Sequence, residues 1–168
     1  MVNGKQIFQG RLLNLFLKRQ KFPNGYIGTL EIIKHPGAVL IVPFLSDDKI
    51  ILIKQYRPVI NAYIWELPAG TLNKGEDPLK CARRELIEEI GYDAGILEKI
   101  GYIYSAPGYT TEKIIIYKAK KLIKVKAKKE VDEVITPKVF TRKAIQKLIN
   151  SGKIVDAKTI CAIKLVIK

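Results

Sequence analysis

One short segment constrains the fold and the chemistry of this chain more than any other. It reads GTLNKGEDPLKCARRELIEEIGY and spans residues 70–92. Asp77 is a favourable N-cap, Pro78 suits the first helical position, and Gly91 suits the residue just past a helix end. The segment therefore predicts a helix over residues 78–90, entered through a glycine-containing loop.

The predicted helix separates its apolar and acidic residues. On a helical wheel of about 100° per residue, the side expected to face the core carries Leu79, Ala82, Leu86 and Ile90. Glu85, Glu88 and Glu89 fall on another side, since spacings of three and four residues bring side chains together. Like charges at these spacings repel, so the arrangement costs stability unless a cation fills it. We expect Arg83 and Arg84 to lie outside this carboxylate cluster.

The acidic side of the helix has two interpretations. Most charge runs are solvated faces, and three glutamates alone would favour that interpretation. The glycine-containing loop PAGTLNKGE that leads into the helix changes the balance, because oxygen-rich clusters of this type suit hard divalent cations such as Mg²⁺ or Mn²⁺. In a chain of formal net charge +14, this concentration of acid predicts a metal site.

The rest of the sequence predicts a strand-rich body with helices in the middle and at the end. The turn signal PNG joins the strands of a first hairpin. Two β-branched runs, GAVLIVPFL and KIILIKQYR, are separated by SDD and predict a second hairpin, buried in a mixed sheet. Two closing helices are predicted, capped by Thr141 and Asp156. The expected fold class is α+β, an α/β/α sandwich.

Length and composition limit the remaining classes. A chain of 168 residues most plausibly forms one domain, and no apolar run approaches the roughly 18–20 residues of a membrane span. The N-terminus lacks a signal-peptide core, so we expect a cytoplasmic protein without membrane contact. Cys81 and Cys161 are too few for a disulfide framework and are expected to be at least half-buried. The single His35 is expected in a turn.

A lysine run marks the second half of the chain. Seven lysines crowd KAKKLIKVKAKK, residues 118–129, without an acidic residue among them. Such a run can bind nucleic acid. Its lysines partly alternate with apolar residues, as on a solvated strand face, and it lacks the interleaved aromatics used for base stacking. We therefore do not expect a nucleic-acid partner.

Residues 70–92 resemble the Nudix box, the signature of the Nudix hydrolase family. The signature is Gly, five residues, Glu, seven residues, and then Arg-Glu-aliphatic-x-Glu-Glu-x-Gly-aliphatic. The matching residues are Gly70, Glu76, Arg84, Glu85, Leu86, Glu88, Glu89 and Gly91, and Tyr92 departs from the aliphatic last place. Many fixed positions at fixed spacing make the motif specific. The resemblance implies a Nudix fold with a mixed sheet, and hydrolysis of a nucleoside diphosphate linked to another group.

Within the box, the resemblance also implies roles. Glu85 and Glu89 are implied as the principal metal ligands, Glu88 assists in metal binding and catalysis, and the carbonyl of Ala69 adds a ligand. The structural part of the motif is Gly70, Glu76, Arg84 and Gly91, with Glu76 and Arg84 as a pair that holds the loop on the helix. Divalent ions would neutralise a diphosphate, orient its phosphorus and lower the pKa of a bound water.

Outside the box, the chain is most similar to ADP-ribose pyrophosphatases. The similar segments are LEIIKHPGAV, IKQYRPVINAYIWELPAG and SAPGYTTEKIIIY, the last of which contains a proline fifteen residues beyond Tyr92, as is typical of that subfamily. The substrate contacts implied are Arg57, Glu66, Gly70, Pro107, Gly108 and Glu112. The implied reaction splits ADP-ribose, or a related nucleoside diphosphate sugar, into AMP or its analogue and a sugar phosphate.

A general base is implied outside the box, in the segment KKEVDEVITPKVF. This segment supplies Glu130, Asp132 and Glu133. The resemblance of the following residues to the family's closing helix favours Glu133, as a base or as an extra metal ligand, with Glu130 as the neighbouring candidate.

The resemblance also implies a homodimer. Residues 1–36 are predicted as an N-terminal β region that contacts a second subunit, and residues 37–168 as the Nudix domain. Leu30 stands where the subfamily often has an arginine that reaches the neighbouring subunit. Two alternatives stay open: a Nudix hydrolase of another nucleoside diphosphate derivative, and a non-catalytic Nudix module that binds nucleotide or RNA.

Overall fold

The computed structural model describes residues 4–10, 13–127 and 134–167, which contain ten strands, three α-helices and a short 3₁₀ turn, Pro58–Ile60. The strands are β1 (Lys5–Gln9), β2 (Asn14–Lys21), β3 (Ile27–Lys34), β4 (Ala38–Pro43), β5 (Lys49–Arg57), β6 (Ala62–Glu66), β7 (Ala69–Thr71), β8 (Tyr92–Tyr104), β9 (Lys113–Lys124) and β10 (Ile135–Thr141). The helices are α1 (Pro78–Glu85), α2 (Arg142–Asn150) and α3 (Ala157–Val166), and α1 continues into a π-helical turn, Leu86–Ile90.

The first three strands form an antiparallel sheet of their own, in the order β1-β2-β3. The predicted first hairpin is confirmed: its turn is closed by a hydrogen bond from Phe22 N to Tyr26 O, and Gly25 takes the positive φ of 86° that favours glycine. No residue of β1–β3 is buried. The chain leaves this sheet at Lys34, near the boundary predicted at residue 36, and the dimer contact of this region stays a prediction.

Two further sheets form the body of the protein. One has the order β7-β4-β9-β8, with β4 and β9 parallel, and the other is antiparallel in the order β10-β5-β6. Alternate residues of β4 and β5 enter two separate cores, because successive side chains of a strand point to opposite faces. One core contains Leu40 and Leu52 with residues of α2 and α3, and the other contains Ile41 and Ile53 with residues of α1. The predicted α+β class and α/β/α sandwich are confirmed.

The second predicted hairpin is wrong. β4 and β5 are consecutive in the chain but belong to different sheets, and only an isolated bridge between Phe44 and Ile50 joins them near the connecting turn. Both strands are buried on two faces, so an apolar β-branched run lacks the polar alternation that would identify its neighbour. β4 instead pairs with β9, more than 70 residues further along the chain.

The helix boundaries agree with the capping signals in the sequence. The side chains of Asp77, Thr141 and Asp156 each accept a backbone N–H from the first turn of the helix that they precede. Cys161, by contrast, is exposed on α3, so its predicted burial is wrong. None of the described helices combines the length and apolarity needed to cross a bilayer.

The lysine run begins in a long β8–β9 hairpin. Lys118–Lys124 form the end of β9, and Lys118 lies opposite Glu98 of β8. Residues 128 and 129, at the end of the run, lie outside the described residues. Residues 118–124 therefore have the strand conformation expected of a solvated hairpin arm, and residues 125–127 lie beyond the end of the strand.

Candidate active site

The acidic helix is wound differently from the regular wheel used for the sequence. Its last turn, Leu86–Ile90, is π-helical, and Gly91 ends it with a φ of 71°. A π turn adds a residue to the turn, which changes the direction of the side chains that follow, and such turns are frequent at functional sites. Glu85 and Glu89 are buried, with relative exposures of 7% and 2%. Leu79, which the wheel placed on the core side, is 42% exposed in the first turn.

The short strand β7 lies directly against the buried carboxylates. A Cβ atom at Gly70 would lie 1.8 Å from Oε1 of Glu85, so only glycine fits at this position. The preceding residue, Ala69, donates its N–H to Oε2 of Glu89 at 3.0 Å. The two carboxylates and the Ala69–Gly70 backbone thus form one packed unit.

Arg84 lies inside the carboxylate cluster, so the expectation that it lies outside is wrong. Its Nη1 is 2.6 Å from Oε1 of Glu85 and 2.8 Å from Oε2 of Glu88. Its Nε and Nη2 donate to Glu76 at 2.9 and 3.1 Å. The wheel gives the direction of Cβ only, and a long arginine side chain can turn back along the helix to reach the acids.

The charges of this cluster are strongly coupled. The hydrogen bond from Arg84, with help from the Asn73 N–H, lowers the pKa of Glu76 to about 2. The same contact with Glu76 is the main cause that raises the pKa of Arg84. Arg84 supplies one positive charge against the carboxylates of Glu76, Glu85 and Glu88, so it offsets only part of their charge.

The donors of this cluster fit a hard divalent cation in their chemistry. Glu85, Glu88 and Glu89 offer carboxylate oxygens and Ala69 a carbonyl oxygen, which are the ligands that Mg²⁺ and Mn²⁺ prefer. Because Gly70 has no side chain, the Glu85 carboxylate lies directly against the β7 backbone, beside the Ala69 carbonyl. Within the described ranges no three His, Cys, Asp or Glu side chains are gathered closely enough to hold a metal ion. Nη1 of Arg84 instead contacts oxygens of both Glu85 and Glu88, so a cation would compete with Arg84 for them.

A second charged cluster lies at the end of β5 and β6. Glu66 is fully buried, and its carboxylate accepts from Nε and Nη2 of Arg57 at 2.6 and 2.7 Å. The same carboxylate accepts from Nζ of Lys158, which also donates to Oδ1 of Asp156 at 2.8 Å. Burial acts to raise the pKa of Glu66, but the hydrogen bond from Arg57 and the charge of Lys158 outweigh it, so this pKa is lowered.

A cavity of about 590 Å³ connects the two clusters. Its lining includes Ala69 and Gly70 from the first cluster, Arg57, Asp156 and Lys158 from the second, and Glu112. A different hollow, of about 650 Å³, lies beside α2 and contains none of the predicted site residues. Of the predicted substrate contacts, Arg57, Gly70 and Glu112 line the connecting cavity, while Glu66 lies beneath it.

The far end of this cavity contains a pair that the sequence did not suggest. Nε2 of His35 is 3.6 Å from Oε1 of Glu112, and Nδ1 accepts the N–H of Gly37 at 3.1 Å. His35 does precede a turn, with Gly37 at a φ of 103°, but it also lines the cavity. Pro107 and Gly108 are exposed in the β8–β9 loop and are not part of the lining.

Three residues at the start of α3, its N-cap and two residues of its first turn, were missed as candidate site residues. Lys158 and Asp156 line the cavity, and the buried Thr159 accepts the N–H of Leu67 at 2.8 Å. The sequence motif DAKT offered only a helix cap, because the partners of these side chains lie about 90 residues earlier in the chain. The predicted bases Glu130 and Glu133, with Asp132, lie outside the described residues.

The family follows from a comparison with family models. The NUDIX domain model matches residues 34–161, which is most of the chain and includes both clusters. The protein therefore belongs to the NUDIX domain family, and the Nudix fold expected from the box is confirmed.

Individual relatives refine this assignment. An ADP-ribose pyrophosphatase of Bacillus subtilis is 40% identical over 162 residues, which cover 95% of this chain and 88% of the relative. A methanol dehydrogenase activator of Bacillus methanolicus is 36% identical, with coverage of 97% and 89%. A crystal structure of an ADP compounds hydrolase superposes with a TM-score of 0.84 at 26% identity, covering 98% of this chain and 90% of that one.

Proposed function

We propose that this protein is a metal-dependent hydrolase that cleaves the pyrophosphate bond of ADP-ribose, giving AMP and ribose 5-phosphate. One observation carries the proposal: the buried Glu85 and Glu89 pack against Ala69 and Gly70, which line the same cavity as Arg57. This arrangement puts candidate metal ligands beside a cation suited to phosphate. The similarity to the Bacillus subtilis ADP-ribose pyrophosphatase supports ADP-ribose as the substrate.

In the proposed reaction, each part of the cavity has a role. Glu85, Glu88, Glu89 and the Ala69 carbonyl would hold Mg²⁺ or Mn²⁺, which supplies charge neutralisation of the diphosphate and a bound water of lowered pKa. Arg57 binds a phosphate oxygen, and the buried Glu66 keeps the Arg57 guanidinium in position. Glu112 accepts a hydrogen bond from a hydroxyl of the terminal ribose.

The base that completes the reaction is proposed in the segment before β10. Glu133, or Glu130 in its place, takes the proton from the attacking water. The water oxygen forms a bond to one phosphorus, the bond from that phosphorus to the bridging oxygen breaks, and the bridging oxygen leaves with the other phosphate. Glu133→Gln should then lower turnover with little effect on the melting temperature.

The test is product analysis with a matched pair of variants. Purified protein is incubated with ADP-ribose and Mg²⁺ or Mn²⁺, with and without a chelator, and the products are identified by mass. Glu85→Gln should lower turnover by at least about a hundredfold, because a metal ligand is lost. Glu98→Gln, at an exposed position on β8, should leave turnover unchanged.

The outcomes separate this proposal from its alternatives. Hydrolysis of another nucleoside diphosphate derivative, but not of ADP-ribose, would keep the proposed reaction and change its substrate. Binding of nucleotide or RNA that survives Glu85→Ala, without any hydrolysis by the wild-type protein, would indicate a non-catalytic module.

We also propose a cytoplasmic homodimer that associates through the N-terminal sheet. This sheet and its β2–β3 turn expose large apolar side chains, including Ile7 at 48% and Phe8 at 57% in β1 and Tyr26 at 64% in the turn. Large contiguous apolar patches mark protein interfaces, and these side chains are the candidates for such a patch. A monomer in light scattering at micromolar concentration would contradict the dimer.

A further inference from the structure

Two cations stand side by side on one wall of the cavity, and one buried acid holds both. The side chains of Arg57 and Lys158 are 39% and 21% exposed, whereas that of Glu66 is only 1% exposed. Glu66 therefore lies behind the two cations, so a ligand in the cavity would contact the cations and not the carboxylate. The cations come from distant parts of the chain, the end of β5 and the first turn of α3.

We propose that Lys158 is a substrate-binding residue, which together with Arg57 forms a two-cation clamp for the diphosphate group of the substrate. This inference rests on the proposed function, because it assigns a phosphate-bearing ligand to the same cavity. The recognised chemistry is a pair of neighbouring phosphates, whichever group is attached at the far end.

The hydrogen-bond inventory of the two cations supports the clamp. Arg57 gives one N–H of Nε and one of Nη2 to Glu66, and a guanidinium has five N–H donors in all. Lys158 gives two donors to Glu66 and Asp156, and an ammonium has three. Glu66 therefore does not exhaust the donors of either cation, and both residues line the cavity.

The arrangement also prepares the clamp before a ligand arrives. The single negative charge of Glu66 is already matched by a two-point contact with Arg57, so neutralising Glu66 does not require Lys158. Asp156, which caps α3 through Oδ2, holds Lys158 through Oδ1. The cations are thus kept in place without a ligand, which lowers the ordering cost of binding phosphate.

The backbone around the clamp is tied to the carboxylate cluster. Thr159, beside Lys158, accepts the N–H of Leu67, and two residues later Ala69 donates to Glu89. The first turn of α3 therefore positions the clamp relative to the proposed metal ligands. A diphosphate between them would have cationic donors on one side and a metal site on the other.

The experiment removes the charge of Lys158 and measures binding of a ligand series. Lys158→Met keeps the aliphatic stem, and Lys158→Arg keeps the charge. Lys164→Met, on the same helix but bonded to Gln146 outside the cavity, is the matched control. Calorimetry measures the affinity for adenosine, AMP and ADP, and steady-state kinetics measure KM and kcat for ADP-ribose.

A phosphate contact predicts a loss that grows with the number of phosphates. Lys158→Met should weaken ADP binding about tenfold or more, since a charge-assisted hydrogen bond is lost. AMP should lose less and adenosine less than twofold. The KM for ADP-ribose should rise about tenfold with a smaller change in kcat. Lys158→Arg should recover most of the loss, and Lys164→Met should resemble wild type.

Several results would overturn the clamp. In Lys158→Met, the affinities for adenosine and for ADP could fall by equal factors, or the affinity for ADP could stay unchanged. In the wild-type protein, ADP binding could be absent. If Lys158→Met lowers the melting temperature strongly, the same binding measurements are made on Lys158→Gln. The glutamine amide keeps two N–H donors for Glu66 and Asp156 without the charge. A wild-type protein that binds ADP but does not hydrolyse ADP-ribose would reject the proposed function and leave the clamp supported if the ligand series behaves as predicted.

Discussion

The two charged clusters of the cavity differ in how the chain builds them. The carboxylate cluster comes almost entirely from residues 69–91, a single loop and helix. The Arg57–Glu66–Lys158 cluster joins two strand ends to a helix that begins about 90 residues later. The first depends on local spacing and the second on tertiary packing. The proposed function uses both clusters, although only the first resembles a motif in the sequence.

The difference has an electrostatic counterpart. In the carboxylate cluster Arg84 faces three acids, so negative charge remains for a cation. In the second cluster two cations face Glu66 and Asp156, so the charges balance. Variants of one cluster can therefore show whether the other cluster depends on it.

Gly70→Ala should give the largest effect, because it places a Cβ inside the Glu85 carboxylate. Glu85 or β7 must move, which costs about 1–3 kcal/mol in the free energy of unfolding. Turnover should fall at least about a hundredfold, since misplacement by about 1 Å is costly to catalysis. Denaturant unfolding and steady-state kinetics measure the two losses.

Gly101→Ala is the control for this variant. A Cβ at Gly101 has no neighbour within 4 Å among the described atoms, and its φ is not in the left-handed region. It should leave both stability and turnover close to wild type. Wild-type turnover in Gly70→Ala would show that the close contact with Glu85 is not needed for function.

Glu66→Gln should give the next largest effect and should act on the second cluster. The change leaves the cations Arg57 and Lys158 without their shared buried anion. Removing one member of a fully buried ion pair costs about 3–5 kcal/mol. Because both cations are partly exposed and water can solvate them, this variant should cost less, about 2 kcal/mol. Chemical denaturation measures the cost.

Calorimetry with Mg²⁺ or Mn²⁺ then decides whether the two clusters are separable. Metal affinity should stay within about threefold of wild type in Glu66→Gln, because none of the proposed ligands is changed. A large loss of metal affinity would show that the two clusters form one unit.

Much of the fold was predictable because its signals are local. Caps such as Asp77 and Asp156 act within one helical turn, and the PNG turn closes its own hairpin. The pairing of β4 was not predictable, because both of its faces are apolar and its partner β9 is distant in sequence. The sequence of a strand that is buried on both faces does not indicate which strand it pairs with.

The candidate site divides in the same way. Glu85 and Glu89 could be proposed from spacing and from the resemblance to the Nudix box. Arg84 was misplaced because a wheel describes the backbone and not the reach of a long side chain. Lys158 had no local signal at all, since its role depends on Glu66 from another part of the chain.

Thr159→Val tests the backbone link between the clusters and should have a moderate effect. Valine fills the same volume but leaves the buried N–H of Leu67 without its acceptor. This should cost about 1–2 kcal/mol in the free energy of unfolding. Thr159→Ser, which keeps the hydroxyl, should recover most of the loss. Equal losses in the two variants would assign the effect to packing of the methyl group.

Glu76→Gln should give the smallest effect, and its signature is a dependence on pH. Arg84 lowers the pKa of Glu76 from its ordinary 4.5 to about 2. A carboxyl whose pKa is lower in the folded state stabilises the fold above its unfolded pKa, and this contribution is lost as pH falls through the folded pKa. Wild type should therefore exceed Glu76→Gln by about 1 kcal/mol near pH 6, a value expected for a solvent-contacting pair.

The wild-type advantage should shrink between pH 4.5 and about 2, where Glu76 becomes protonated. Urea unfolding at a series of pH values measures the free energy of unfolding of both proteins. Taking the difference between them removes the effect of the other carboxyl groups, which the two proteins share. A difference that stays constant across this range would mean that the charge of Glu76 does not stabilise the loop. Arg84 would then be held mainly by Glu85 and Glu88, and it would compete more strongly with a metal ion for their oxygens.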